Sequence, residues 1–326
     1  MGDPYILMLV ALAVLAIVDL VVGVSNDAVN FLNSAIGSKA ISVRNIMIIA
    51  SLGVFFGAIT SSGMMEVARK GIFNPNMFMF QDIMFIFMAV MITDILLLDV
   101  FNSLGMPTST TVSIVFELLG AAVCISLIKI SANDAESFSD LWNYINYETA
   151  AKIIFGILLS VVVAFSVGAI VQFSSRLIYS FNFEKRATYI SALFGGFAIT
   201  AITYFIIIKG MKGTPFYKDV KFLIEGNTLG IIAGSFIIWS VISQLLIKIF
   251  KINILKLIIG IGTFSLAMAF SGNGLVNFVG VPIAAWNSYQ AWEISGVAAD
   301  TFSMGVLAKK VPSNIWLLLI AGAIMV

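Results

Sequence analysis

The chain has 326 residues, 60% of them hydrophobic and only 11% charged, with a formal net charge of +1 and a mean hydropathy of +1.06. A soluble domain carries about a quarter charged residues, so this much apolar surface belongs in a bilayer, and a near-neutral chain without a basic run has no footprint for nucleic acid. The absence of histidine and the single cysteine exclude His-ligated metal centres, His-based catalytic triads and intrachain disulfides, and with them most membrane-enzyme mechanisms.

The opening Met-Gly-Asp-Pro lacks the basic flank of a signal peptide, so the apolar run that follows reads as the first membrane helix. Apolar runs against their breakers predict spans at 5–24, 46–64, 83–101, 111–130, 150–173, 187–208, 228–250 and 252–270, with a last apolar run from 315 onward. Continued at 3.6 residues per turn, the first helix lines up Asp19, Gly23, Asn26, Asn30, Asn33 and Gly37 on one stripe. Polar groups at bilayer depth face protein or water. The stripe is therefore either a helix-packing face or the wall of a binding site, and Asp27 inside the Asn cluster favours the second.

Glu66 precedes Arg69 and Lys70 at i+3 and i+4, a spacing that by itself describes a local surface ion pair. Asp94 and Asp99 interrupt an apolar run, and Asp99 shares a face with Asn102 that is expected to turn toward the bundle interior. Then comes Gly105-Met106-Pro107-Thr108-Ser109-Thr110-Thr111-Val112-Ser113, with five hydroxyls in the six positions from Thr108 to Ser113. Proline and a Ser/Thr cap fit the first turn of a helix, but one cap needs only one hydroxyl. A helix N-terminus with free N–H groups, a positive dipole end and several hydroxyls suits a tetrahedral oxyanion. Ser109, Ser113, Glu117 and Gly120 continue this polar face along the helix, making Ser113 and Glu117 candidates to stand behind the ligand. Asp99 is a third such candidate. Cys124, in an apolar run, is expected to be a buried packing residue.

The segment 131–148 is acidic, whereas Arg176, Lys185 and Arg186 mark one basic loop and Lys248, Lys251 and Lys256 another. The positive-inside rule places the acidic segment and the N-terminus outside and both basic loops inside. On that count the helices beginning near 5 and 252 run in opposite directions, and both carry the same local sequence. Asn26-Asp27-Ala28-Val29-Asn30-Phe31 is echoed by Asn273-Gly274-Leu275-Val276-Asn277-Phe278, identical at four of six positions. The fold class is thus all-α: a polytopic membrane protein of the inverted-repeat transporter kind, with broken or half helices. Residues 1–130 form the first repeat, 131–250 the linking loops and middle helices, and 251–326 the start of a second, inverted repeat that looks cut short.

These motifs resemble the inorganic phosphate transporter family. Asn26, Asp27 and Asn30 match the Asn-Asp-x-x-Asn core of its duplicated signature; the Pro107 motif matches its Gly-Leu-Pro-x-Ser-Thr-Thr-His-Ser run with Val112 in place of histidine; Glu66, Arg69, Lys70, Gly71 and Ile72 match its Glu followed by basic residues and Gly-Ile. The resemblance implies phosphate held between the repeats by Asn26, Asp27, Ser109, Thr110, Thr111, Asn273 and Asn277. It implies a transported Na⁺ or H⁺ bound by Asp27, Asn30 and Glu66, and it raises Glu66 from a surface pair to a functional acid. It further implies a homodimer in the plasma membrane, with no cofactor and no resident metal. Gly274 stands where the second signature has Asp. The leading expectation is a secondary transporter, not an enzyme, moving inorganic phosphate with Na⁺ or H⁺. The competing ones are a permease for sulfate or another oxyanion, and a non-transporting membrane scaffold or sensor.

Overall fold

The computed structural model describes residues 3–60, 71–179, 183–210, 217, 221–222, 226–308 and 315–326. Its helices are α1 (Pro4–Ser38), α2 (Val43–Thr60), α3 (Phe80–Ser103), α4 (Thr110–Ala132), the single turn α5 (Leu141–Tyr144), α6 (Tyr147–Ile178), α7 (Phe183–Phe205), α8 (Thr228–Lys248), α9 (Ile254–Ser295) and α10 (Ile315–Met325). Among the described residues eight helices are long and apolar enough to cross a membrane, and α10 is shorter. Each of the nine apolar runs falls on one of these helices.

Two helices run well past their apolar stretches. α1 continues for 35 residues and α9 for 42, the latter through Pro282. Asp3 starts α1 by accepting from the Tyr5 N–H at 3.0 Å, with Pro4 in the first turn where its missing N–H costs nothing. The two long helices lie antiparallel. Tyr289 donates to Asp3 at 3.2 Å, Gly23 abuts the Phe278 ring, Gly274 faces Asp27, and the Phe31 and Phe270 rings stand 6.0 Å apart. This is the opposed crossing expected of inverted repeats.

α2 packs along α9 in parallel, Gly53 against Phe264 and Ala267, and Gly57 against Met268 and Ser271. A Cβ at Gly53 would come within 2.9 Å of the Ala267 Cβ, so glycine sets the distance between these two helices. Ser271 reinforces the seam by donating to the Val54 carbonyl at 2.8 Å. α10 lies on α2, with Gly322 against Ala58.

Two apolar cores result. Leu12, Phe80, Ile83, Phe87, Val90, Ile114, Leu118 and Ala284 join α1, α3, α4 and α9, whereas Leu20, Phe31, Val54, Leu98, Leu275 and Phe278 form the second. At its far end α4 is tied to α3 by Lys129, whose Nζ lies 2.6 Å from Asp82 and 3.1 Å from the Met77 carbonyl. α6 turns nearly all its apolar side chains outward, Phe155, Leu158, Phe165 and Ile170 among them, a surface suited to lipid tails. Cys124 corrects an expectation: it is exposed on α4, because the core-facing stripe of that helix passes through Leu118, Ala122 and Ser126 instead.

Candidate functional site

The Pro107 motif is built as a stop followed by a start. α3 ends with Gly105 at φ +68°, the Gly105 N–H bonded to the Asn102 carbonyl at 3.0 Å and the Met106 N–H to the Phe101 carbonyl at 2.9 Å. This pairing closes a helix around a left-handed residue and favours glycine there. Nothing lies within 4 Å of a Cβ placed on Gly105, so Gly105→Ala should cost only the backbone strain, about 1–2 kcal/mol. A lowered midpoint in thermal unfolding of the detergent-solubilised protein would register it, whereas Gly105→Asn should lose less.

α4 begins at Thr110, five residues after Gly105. Ser109 caps it in an extended conformation, its Oγ accepting from the Val112 N–H at 3.4 Å and its carbonyl from the Ser113 N–H at 3.0 Å. Ser113 Oγ donates back to the same carbonyl at 3.3 Å. Among the described residues nothing accepts from the N–H groups of Thr110 or Thr111. The first turn of α4 therefore presents two free donors beside its hydroxyls, at the positive end of the helix dipole. α4 is 23 residues long and can cross the bilayer by itself, so it is a full helix rather than the half helix expected.

Asn26 holds this turn in place. Its Nδ2 donates to Asn102 Oδ1 at 2.8 Å and to the Met106 carbonyl at 3.2 Å, and its Oδ1 accepts from the Thr108 N–H at 2.7 Å. Asn102 Nδ2 in turn donates to the Val22 carbonyl at 2.9 Å. The Asn26 amide is thus spent on the loop, and its side chain positions the cradle rather than offering a free donor to a ligand. On the other repeat, Asn277 is 3% exposed and its Nδ2 donates to Thr110 Oγ1 at 3.1 Å and Thr111 Oγ1 at 3.0 Å. One helix turn away, a Cβ on Gly274 would stand 3.5 Å from Asp27 Oδ2. The Asn signatures of both repeats and the Ser-Thr-Thr turn are therefore one connected cluster.

The other expected site residues divide. Asp27 is buried, whereas Asn30, one turn further along α1, is exposed. Asp99 is a correction: it is exposed and lines an open cleft with Ser25, Asn26, Asn102 and Pro107, since only Asn102 of that face turns inward. Glu117 is half-buried and, with Thr108 and Ser113, lines a second cleft of about 520 Å³ between α3 and α4. Glu66 and the Asn273 side chain lie outside the described residues. What the sequence did not mark is Asn102 as a partner of Asn26. Its position three residues before the turn glycine was the available signal.

A family model described as the phosphate transporter family matches residues 23–326, nearly the whole chain. The chain belongs to the phosphate transporter family. A protein of Pyrococcus furiosus named as a phosphate permease is 25% identical over 314 residues, 91% of this chain and 67% of that one. One from Bacillus subtilis, named as a low-affinity inorganic phosphate transporter, is 26% identical over 47% of this chain and 41% of its own length. The solved structure of a sodium-dependent phosphate transporter matches 98% of this chain and 74% of that one with a TM-score of 0.65, at 21% identity, a likeness of fold. This phosphate transporter family member is a multi-pass protein of the plasma membrane and a permease rather than an enzyme.

Proposed function

We propose that this chain carries inorganic phosphate across the membrane together with Na⁺ or H⁺, and that the anion binds at the first turn of α4. The observation that carries this reading is the pair of free N–H groups at Thr110 and Thr111, beside hydroxyls gripped by Asn277 of the opposite repeat. A tetrahedral oxyanion needs several converging donors and gains from the dipole of the helix it caps.

Charge decides the coupling. The nearest signature carboxylate, Asp27, is buried, and among the described residues no Lys or Arg is buried. An anion entering beside it would be repelled by several kcal/mol in so poor a dielectric unless a cation entered too. A Na⁺ or a proton at Asp27 supplies that compensation.

Labelled phosphate uptake into proteoliposomes holding the full-length protein, under an imposed Na⁺ or pH gradient, tests the reading. Uptake that excess sulfate does not suppress supports phosphate; equal suppression would make the chain a general oxyanion permease; binding without flux would make it a sensor or scaffold. Asn277→Ala is expected to weaken phosphate binding about tenfold, on the order of one charge-assisted hydrogen bond, because it frees both threonine hydroxyls to turn away. Isothermal titration with phosphate would measure it.

A further inference from the structure

Deeper in the bundle lies a second set of acids that the phosphate cradle does not use. Asp19 on α1, Asp94 on α3 and Glu117 on α4 meet inside the protein, with the Asp94 carboxyl in contact with both of the others. Asp19 and Asp94 are each 0% exposed. Among the described residues no N–H or hydroxyl donates to any carboxyl oxygen of the three.

No base is at hand to neutralise them. The charged groups on the helices that pack around the cluster are Asp27 on α1, Arg44 on α2, Asp82 and Asp99 on α3, Lys129 on α4, and Lys256 and Glu293 on α9. Lys129 is about 18 Å further along α4 from Glu117 and is engaged with Asp82. Lys256 lines a cleft with Ile41 and Ile49 at the opposite end of α1 from Asp3, and Arg44 begins α2 at that same end. Glu293 sits near Tyr289, by the start of α1. Only Asp27, another acid, is within electrostatic reach of Asp94.

Three touching carboxylates cannot all be ionised in such a place, because each buried ion costs several kcal/mol and each pair repels. Protons must fill the gaps, with the O–H of one acid donating to the carboxyl of the next. A metal ion fits less well. Ala16, Met91 and Ile114, three residues before each acid on its helix, all belong to the apolar core and offer no side-chain oxygen, whereas a hard cation gathers about six oxygens. Among the described residues no group of three acids is arranged to hold a metal ion.

We propose that Asp19, Asp94 and Glu117 form a proton-binding site whose occupancy changes during each transport cycle. Glu117 brings it nearest to water: the residue lines the same cleft as Thr108 and Ser113 of the phosphate turn, with its carboxyl oxygens buried just behind that wall. Asp94 gives it coupling, since a change in its charge is felt at Asp27. The proton arrives from water through Glu117, is held as a carboxylic acid shared with Asp94 and Asp19, and returns to water on the other side. This rests on the phosphate-transport reading above.

The test uses the full-length protein in proteoliposomes without Na⁺, with an acid-outside gradient of one pH unit. Such a gradient drives about tenfold phosphate accumulation per proton carried. Asp94→Asn and Asp19→Asn should each abolish that accumulation, and the two variants guard against one failing to fold. A second readout is the infrared difference spectrum on phosphate addition, in which protonated-carboxyl C=O bands should move in the wild type and vanish in the variants. If phosphate enters under a Na⁺ gradient while the acid gradient does nothing and no carboxylic-acid band moves, the transport reading stands and the proton site is overturned. If phosphate enters under neither gradient, the transport reading itself has failed.

Discussion

Asp27→Asn is expected to cut cation-driven phosphate uptake by about a hundredfold. The substitution keeps the volume of the side chain, so helix packing around it, including the contact with Gly274 across the α1–α9 crossing, is preserved. What it removes is the buried charge on which a coupling cation would bind. Losing one partner of a buried charge pair costs about 3 kcal/mol, which at 1.4 kcal/mol per decade is two orders of magnitude. Proteoliposome uptake under imposed Na⁺ and pH gradients would measure the loss, with protein insertion checked by protease protection. Coupled uptake that survives unchanged would remove Asp27 from the mechanism.

The long apolar runs located every described span, because one helix crossing a bilayer satisfies its own backbone and needs only about 20 apolar residues. The repeated Asn-x-x-Val-Asn-Phe segment was legible too, and the antiparallel contacts from Asp3–Tyr289 to Phe31–Phe270 give it a spatial meaning. Roles were less legible than places. Asn26 reads as a ligand in a list of polar residues, yet its amide is consumed by the Met106 carbonyl and the Thr108 N–H, eighty residues along the chain. No periodicity within one helix contains that information.

The acids illustrate the same limit. Asp94 and Asp99 are five residues apart in one apolar run, and the sequence offers the same reasoning for both. In the structure Asp94 is fully buried between α1 and α4 and Asp99 is exposed in a cleft. Five residues turn a helix by about 500°, which is about 140° past a full turn and puts the two acids on different faces. Asp19 likewise read as an even choice between packing and function. Its meeting with Asp94 and Glu117 depends on three helices crossing at one level.

Gly274→Asp is the substitution most able to show that the two repeats are equivalent. Glycine offers no side-chain oxygen, and the hydroxyl of Ser271, three residues earlier, is turned toward α2, where it donates to the Val54 carbonyl at 2.8 Å. An aspartate here would start from a Cβ 3.5 Å from Asp27 Oδ2 and 3.1 Å from the edge of the Phe278 ring. The ring must give by a few tenths of an ångström, and the new carboxylate would then stand beside that of Asp27. Two facing carboxylates in a buried site repel unless a cation lies between them, so the variant should need its coupling ion more than the parent does. Phosphate uptake measured against Na⁺ concentration and against pH should show half-saturation at about tenfold lower cation activity, with less uptake when the cation is withheld, as one added ligand charge of about 1.4 kcal/mol predicts. Aspartate is only slightly better than glycine inside a helix, so a stability change of no more than about a few tenths of a kcal/mol from propensity should accompany the substitution. A variant that inserts and folds normally but shows unaltered uptake and cation dependence would mean that position 274 does not correspond to Asp27.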